Sequence, residues 1–213
     1  MAFDDMRSRW LHWMALAAAL LLPAAALNAA LSPEQPDVSG RTSLAGELLI
    51  AAPALREPFD HAVVLMAQHN RGGALGIVIN HPLASRPIAE LLQALGADAA
   101  GVSDSVRIFL GGPVSPNVAF VLHSAEYRRD GTLDIDGRVA LTDAAGVLRD
   151  IAAGKGPRQS LVALGYAGWA PAQLEDEIAR GAWVTVAEDP TLVFDDERSK
   201  VWSDAMARYK NER

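Results

Sequence analysis

Two short apolar runs, residues 62–68 and 74–80, stand back to back around Asn70-Arg71-Gly72-Gly73. Val63, Val64, Leu65, Ile77, Val78 and Ile79 are β-formers, and each run is too short for a free-standing helix. Asn and two glycines tolerate the positive φ that a tight turn needs, so the stretch is predicted to be a β-hairpin. Neither run alternates cleanly between apolar and polar. That predicts protein on both faces of the hairpin, and hence a central place in the sheet.

The remaining pattern is built around this pair. Residues 44–52 read as a strand before it. Residues 85–96 read as a helix, with Pro87 in the first turn, Ile88, Leu91, Leu92 and Leu95 on one face, and Gly96 as the stop. Strands are predicted over 106–110 and 118–124, and a small hairpin over 132–135 and 138–141 around Asp136-Gly137. Thr142 is placed to cap a helix through residue 153 that buries Ala144, Val147, Leu148 and Ile151. A strand over 160–166, a helix over 171–180 with Leu174 and Ile178 inward, and a strand over 183–187 follow. A closing helix over 195–209 is predicted to bury Val201, Trp202, Ala205, Met206 and Tyr209. Two hairpins interrupt the alternation of strand and helix. The fold class expected is therefore a mixed α/β (α+β) single domain and not a doubly wound parallel one.

The N-terminal pattern differs. Residues 1–31 form an apolar leader, with Arg7 and Arg9 ahead of a nearly continuous apolar stretch over 10–31. As a signal peptide it would be cut near Ala24-Ala25-Ala26, after the helix-breaking Pro23. As an uncleaved anchor it is about long enough to span a membrane. In both cases the domain would be exported, either periplasmic or anchored to the inner membrane. If the true start lies downstream, the protein is cytoplasmic. Residues 32–43 form a polar linker, and the domain itself is expected over 44–213.

Composition narrows the function. The formal charge is −7, and the two arginines and two aspartates of the leader cancel, so the rest of the chain is equally acidic. Such a surface repels phosphate backbones, and direct nucleic-acid binding is not expected. The absence of cysteine excludes disulfides, thiolate catalysis and cysteine-held metal. There is no GxGxxG, GxxxxGK[ST], HExxH or GxSxG motif. No cofactor is expected.

Candidate chemistry is sparse. His123 and Ser124 are adjacent on a strand, so their side chains point to opposite faces and cannot act on each other as base and nucleophile. His61 and His81 should meet at the open end of the hairpin beside Asp60 and Asn80, a pattern that suits a metal only if a third ligand is found. Asn70 suits left-handed turn geometry. Gly111-Gly112-Pro113 could present backbone N–H groups to an anion or a peptide, or simply let backbone pass close to another element. Trp169 and Trp183 are placed to pack in the core or to form a ligand shelf.

Taken in order, LLIAAP (48–53), QHN with GGALGIVIN and a closing proline (63–82), LGGPV (110–114), FVLHS (120–124), LGYAGW (164–169) and QLEDE (173–177) resemble the YqgE/AlgH family of bacterial proteins. The resemblance covers about residues 44–209. It implies one domain with a bifurcated sheet folded into a pseudo-barrel with flanking helices. It implies an uncharacterised function too, with a transcriptional role inferred from a link to alginate synthesis, and no agreed catalytic residues. The family signature suggests a ligand-binding surface at His69, Asn70, Asn80, Gly111, Gly112, His123, Ser124, Gly168 and Trp169. Two departures stand out: the family is usually cytoplasmic, without a leader, and His81 stands where it typically has lysine.

The reading that follows is a non-enzymatic regulatory or adaptor module that binds a protein or a small molecule. It touches membrane only through residues 10–31, if these are retained. The alternative is a hydrolase or transferase with its site around Gly111–Pro113, His123–Ser124 and Gly165–Trp169.

Overall fold

The computed structural model describes residues 43–212; the leader and nearly all of the linker lie outside them. In chain order the elements are β1 (Glu47–Ala51), β2 (Val63–Asn70), β3 (Gly73–Val78), β4 (Pro82–Pro87), α1 (Ile88–Ala94), β5 (Ser105–Leu110), β6 (Val114–Ser124), β7 (Leu133–Asp134), β8 (Val139–Asp143), α2 (Ala144–Ala152), β9 (Ser160–Trp169), α3 (Gln173–Ala179), β10 (Trp183–Ala187), α4 (Pro190–Val193) and α5 (Arg198–Asn211). All ten strands join one sheet, ordered β10-β1-β2-β3-β9-β6-β8-β7, with β5 added to β9 and β4 to β5. Only the β5–β9 pair is parallel, which makes the sheet mixed.

The apolar hairpin is central, as its pattern predicts. Asn70 pairs with Gly73 at the turn and Val64 with Val78 toward the open end. Leu49, Met66, Val78 and Ala167 pack on one face with Trp169, Trp183 and Leu174 of α3. Leu48, Ile50, Leu65 and Ile77 are fully buried as well. A second core joins α1 and α2 to β6 and β9 through Ile88, Leu92, Val121, Val147, Leu148 and Val162. Each such aliphatic side chain contributes about 1.5–3 kcal/mol on burial, so these faces hold the elements together.

The sheet forks on one edge of β9. Ala167–Trp169 pairs with β3, while Val162–Leu164 pairs with β5; β6 takes the opposite edge. At the fork the Val78 N–H donates to the Gly111 carbonyl, and the Gly111 N–H to Leu164, both at 2.8 Å. Backbone meets backbone here without room for side chains. A Cβ on Gly111 would lie 2.4 Å from the Gly165 oxygen, and one on Gly112 (φ +151) would lie 2.2 Å from the Tyr166 carbonyl carbon. Gly165, at φ +70, bends β9 at the same point.

At the far ends of the sheet, edge meets edge without a ladder. The Glu188 N–H, just past β10, donates to the Gly46 carbonyl at 3.2 Å, which extends the β10–β1 ladder by one rung to the seam. Gly46 lies against Asp136 of the β7–β8 turn. Arg138, also of that turn, donates to the Glu188 carbonyl at 3.2 Å. This seam is made largely by side chains.

Three elements depart from the sequence reading. Residues 82–87 form an exposed strand on β5, not the start of a helix. Its residues carry no continuous apolar face, and the helix begins only at Ile88, whose N–H is held by the Asp104 carbonyl. Thr142 does not cap α2; it is buried in β8, and Asp143 stands at the cap without a side-chain bond. The closing helix starts at Arg198, later than expected, and a separate short helix, α4, precedes it with Asp189 accepting the Thr191 N–H at its start. In α5, Val201 and Ala205 are buried, whereas Trp202 is half-buried and donates its indole N–H to the Ala51 carbonyl at 2.9 Å.

Candidate functional site

The nine candidate residues fall into separate neighbourhoods. Around the hairpin tip, His69 ends β2 and is nearly buried. Its Nδ1 accepts the Leu44 N–H at 3.1 Å, which leaves Nε2 to face the Glu175 carboxylate at 3.4 Å. Asn70 caps its own turn, accepting the Gly72 N–H at 2.7 Å. Gly73 is pressed against the Trp169 carbonyl.

Below the tip, Trp169 and Trp183 meet edge to face at 5.9 Å, with Phe59 beside both. The two indole N–H groups donate to one oxygen of Glu177, at 2.9 and 2.8 Å, and the Gln173 amide donates to the other at 2.8 Å. Three donors on one carboxylate fix the β9–α3 connection as a rigid base. Gly168 and the half-buried Asn70 reach solvent near the hairpin tip.

At the hairpin's open end, Asn80 accepts the Val63 N–H and donates to the His61 carbonyl, both at 2.8 Å. This side chain substitutes for a missing ladder rung. His61 and His81 do gather there: His61 pairs with the Asp60 carboxylate at 2.9 Å, and His81 bonds the Asp60 carbonyl at 3.2 Å. Burial holds the His81 imidazole below its ordinary range. Among the described residues no three histidine or carboxylate groups are arranged to hold a metal ion.

His123 and Ser124 lie at the far end of β6 and face apart. The His123 Nδ1 bonds the Ser124 carbonyl at 3.1 Å, so Nδ1 carries the proton and Nε2 accepts from the Thr142 hydroxyl at 2.8 Å. Thr142 in turn accepts a hydrogen bond from the Thr132 hydroxyl, 2.8 Å away. Burial keeps the His123 imidazole neutral, below its ordinary range. Ser124 donates to Glu126 at 2.9 Å and accepts from the Gln159 N–H at 3.1 Å. Glu126 resists the upward push of burial because the Arg158 N–H and the Ser124 hydroxyl hydrogen-bond it, and it sits at about 2. Near Thr132, an open depression is lined by Arg129, Asp130, Asp143, Gly146 and Arg149.

These neighbourhoods are strung along β9. His123 pairs with Ser160 at its start, Gly111 meets it near Gly165, and Trp169 ends it. At the usual rise per strand residue the separations are about 17 and 30 Å. Of the three segments of the hydrolase or transferase reading, Gly111–Pro113 and Gly165–Trp169 therefore meet at the fork, while His123–Ser124 stands apart at the start of β9. His123 and Thr142 make a base–hydroxyl pair of suitable length, yet both are buried.

The sequence reading overlooks Glu188, which is buried with its carboxyl fully enclosed. Strand alternation carried past Ala187 places it on the inward face of Val186, and that signal was available.

A family model described as DUF179, AlgH-like, matches residues 48–212. A UPF0301 protein of Jannaschia sp. is 44% identical over 166 residues, covering 76% of this chain and 86% of that one. Another from Methylococcus capsulatus is 38% identical over 175 residues, covering 82% and 94%. The solution structure of the AlgH protein from Pseudomonas aeruginosa superposes with a TM-score of 0.66 at 37% identity, covering 83% of this chain and 92% of that one. A crystal structure from Corynebacterium diphtheriae gives 0.62 at 20% identity over 84% and 92%, and shows the fold alone. The chain belongs to the AlgH-like family.

Proposed function

We propose that this protein is a non-enzymatic regulatory or adaptor module, and that it binds its partner at the hairpin tip and the β9–α3 connection. The observation that carries this reading is the state of the polar groups in the family segments. His69, Asn80, His123, Trp169 and Glu177 are all engaged inside the fold. They serve to stiffen what lies over them, as a scaffold does for a binding loop. Near the hairpin tip Gly168 is exposed and Asn70 half-buried, and Gly168 lies on the face of β9 opposite the Trp169–Glu177–Trp183 base.

The partner is a protein or a small molecule. The acidic charge speaks against direct nucleic-acid binding. Among the described residues no helix is long and apolar enough to cross a membrane. Membrane contact would come only through residues 10–31, and N-terminal sequencing of the native protein decides between an exported and a cytoplasmic domain.

A photo-crosslinking side chain at exposed Ala170 tests the binding surface in the native host, with Asp130 as the distant control. A discrete adduct at Ala170 and none at Asp130 supports the reading. No adduct at Ala170, together with turnover of model esters or phosphoesters that is lost in His123→Gln or Ser124→Ala, overturns it in favour of the enzyme.

A further inference from the structure

The two ends of the sheet are held by an unusual set of charges. Glu188 leaves β10 with its carboxyl fully enclosed, and it meets the Arg138 guanidinium at 2.7 Å. Neither carboxyl oxygen accepts a well-aligned hydrogen bond among the described residues. The same Arg138 nitrogen lies 3.0 Å from an Asp136 oxygen, so the two carboxyls flank one guanidinium nitrogen. Asp136 is itself well supplied, accepting the Arg138 and Val139 N–H groups, each at 2.9 Å. Asp189 follows Glu188 and is paired with Arg208 of α5. Acids thus outnumber the bases facing this corner.

Two carboxylates in contact repel, and no hydrogen bond joins them unless one carries a proton. Asp136 has the backbone donors that stabilise a negative charge. Glu188 has none, apart from the exposed Arg138. The proton therefore belongs on Glu188, which then donates to Asp136.

We propose that this seam is a proton-operated latch: a proton shared by Glu188 and Asp136 holds the β10–α4 corner against the β7–β8 turn, and loss of that proton at alkaline pH releases it. The closing contacts on either side are few. Among the described residues they are Arg138 on the Glu188 carbonyl at 3.2 Å and on its carboxyl at 2.7 Å, beside the Glu188 N–H on Gly46, the last rung of the β10–β1 ladder. Burial, with Asp136 adding to it, raises the Glu188 carboxyl from 4.5 to about 8. For Asp136, burial pushes upward, but the bonds from Glu188, Val139 and Arg138 outweigh it and keep the group below its ordinary range.

The latch predicts a specific pH law. If Glu188 regains its ordinary acidity once the seam opens, the opening equilibrium rises about tenfold per pH unit from 4.5 to 8, then levels off. Amide hydrogen exchange of the full chain reads this at the Glu188 N–H, after correction for the intrinsic exchange rate. Its protection should fall about tenfold per unit toward pH 8, while that of Leu65 at the sheet centre stays constant. In parallel, the Glu188 side-chain carbon resonance should titrate near 8 in the wild-type protein.

Glu188→Gln keeps a donor toward Asp136 and should abolish the slope. Asp136→Asn should move the Glu188 midpoint down toward the ordinary range. A Glu188 midpoint below about 5 in the wild type, or protection at Glu188 that is independent of pH, overturns the latch whether or not either variant folds.

Discussion

Two carboxylates sit at opposite ends of β10, and they were given opposite surroundings. At its start, Glu177 collects three donors, from Trp169, Trp183 and Gln173. Past its end, Glu188 is enclosed beside Asp136 and Asp189, with one exposed arginine. Both tie β10 to a neighbouring segment, the first through N–H donors and the second without them. A buried carboxyl that lacks such donors is stabilised by a proton. The molecule therefore has a fixed end and a titratable end.

The comparison rests on β9 and its fork, so the largest effect should come from breaking that. A Cβ at Gly112 would lie 2.2 Å from the Tyr166 carbonyl carbon, at a φ of +151 that side chains avoid. Gly112→Ala should cost about 4 kcal/mol or more, a large share of the stability of an ordinary domain. Urea denaturation at pH 7 checks it. A loss near 1 kcal/mol would mean that the fork can relax and that its glycines are not there for close approach.

Next comes the fixed end. Glu177→Ala strands two indole N–H groups over a half-buried gap, and should cost about 3 kcal/mol. Urea denaturation at pH 7 measures it, and a loss below about 0.5 kcal/mol would mean that the carboxylate does not hold the connection.

How far the sequence foretold these two ends is itself uneven. The apolar hairpin, the glycine corners and the faces of α1 and α2 were legible because burial imposes a period that side-chain type reveals. The role of residues 82–87 was not, since Pro87 suits a helix start and a strand end alike, and only pairing with β5 decides. Thr142 was read as a cap from its position before an apolar stripe; its actual partners, His123 and Thr132, come from other strands. The same holds for the candidate site. His69, Trp169 and His123 could be picked out as notable, but that they sit at different places along β9 follows from strand register, which one sequence does not print.

The titratable end gives a smaller effect with a clear sign. Glu188 is raised from 4.5 to about 8, so its contribution is fully present below pH 4.5 and is lost as pH rises to 8. His81 and His123 are lowered by burial, so theirs is present above about 6.5 and is lost as pH falls below it. Above pH 6.5, then, Glu188 acts without opposition from the buried histidines. The wild type should lose about 1–2 kcal/mol between pH 6.5 and 8, measured as urea midpoints. Glu188→Gln should be flat over that window and should show the acid-side loss of the histidines undisguised. A variant that keeps the alkaline slope would place the proton elsewhere.

The smallest effect belongs to Ser124, and it separates the binding reading from the enzymatic one. Its hydroxyl donates to Glu126 and accepts from Gln159 at the edge of the fold, where solvent can replace either bond. Ser124→Ala should cost about 0.5 kcal/mol. It should also let the Glu126 carboxyl rise from about 2 toward its ordinary range, because one of its donors is gone. Crosslinking at Ala170 should be unchanged, since Ser160, beside His123, and Trp169 stand at opposite ends of β9. If the substitution abolished the adduct while leaving the urea midpoint alone, Ser124 would be a functional group in its own right, and the division of labour drawn between the ends of the sheet would have to be redrawn.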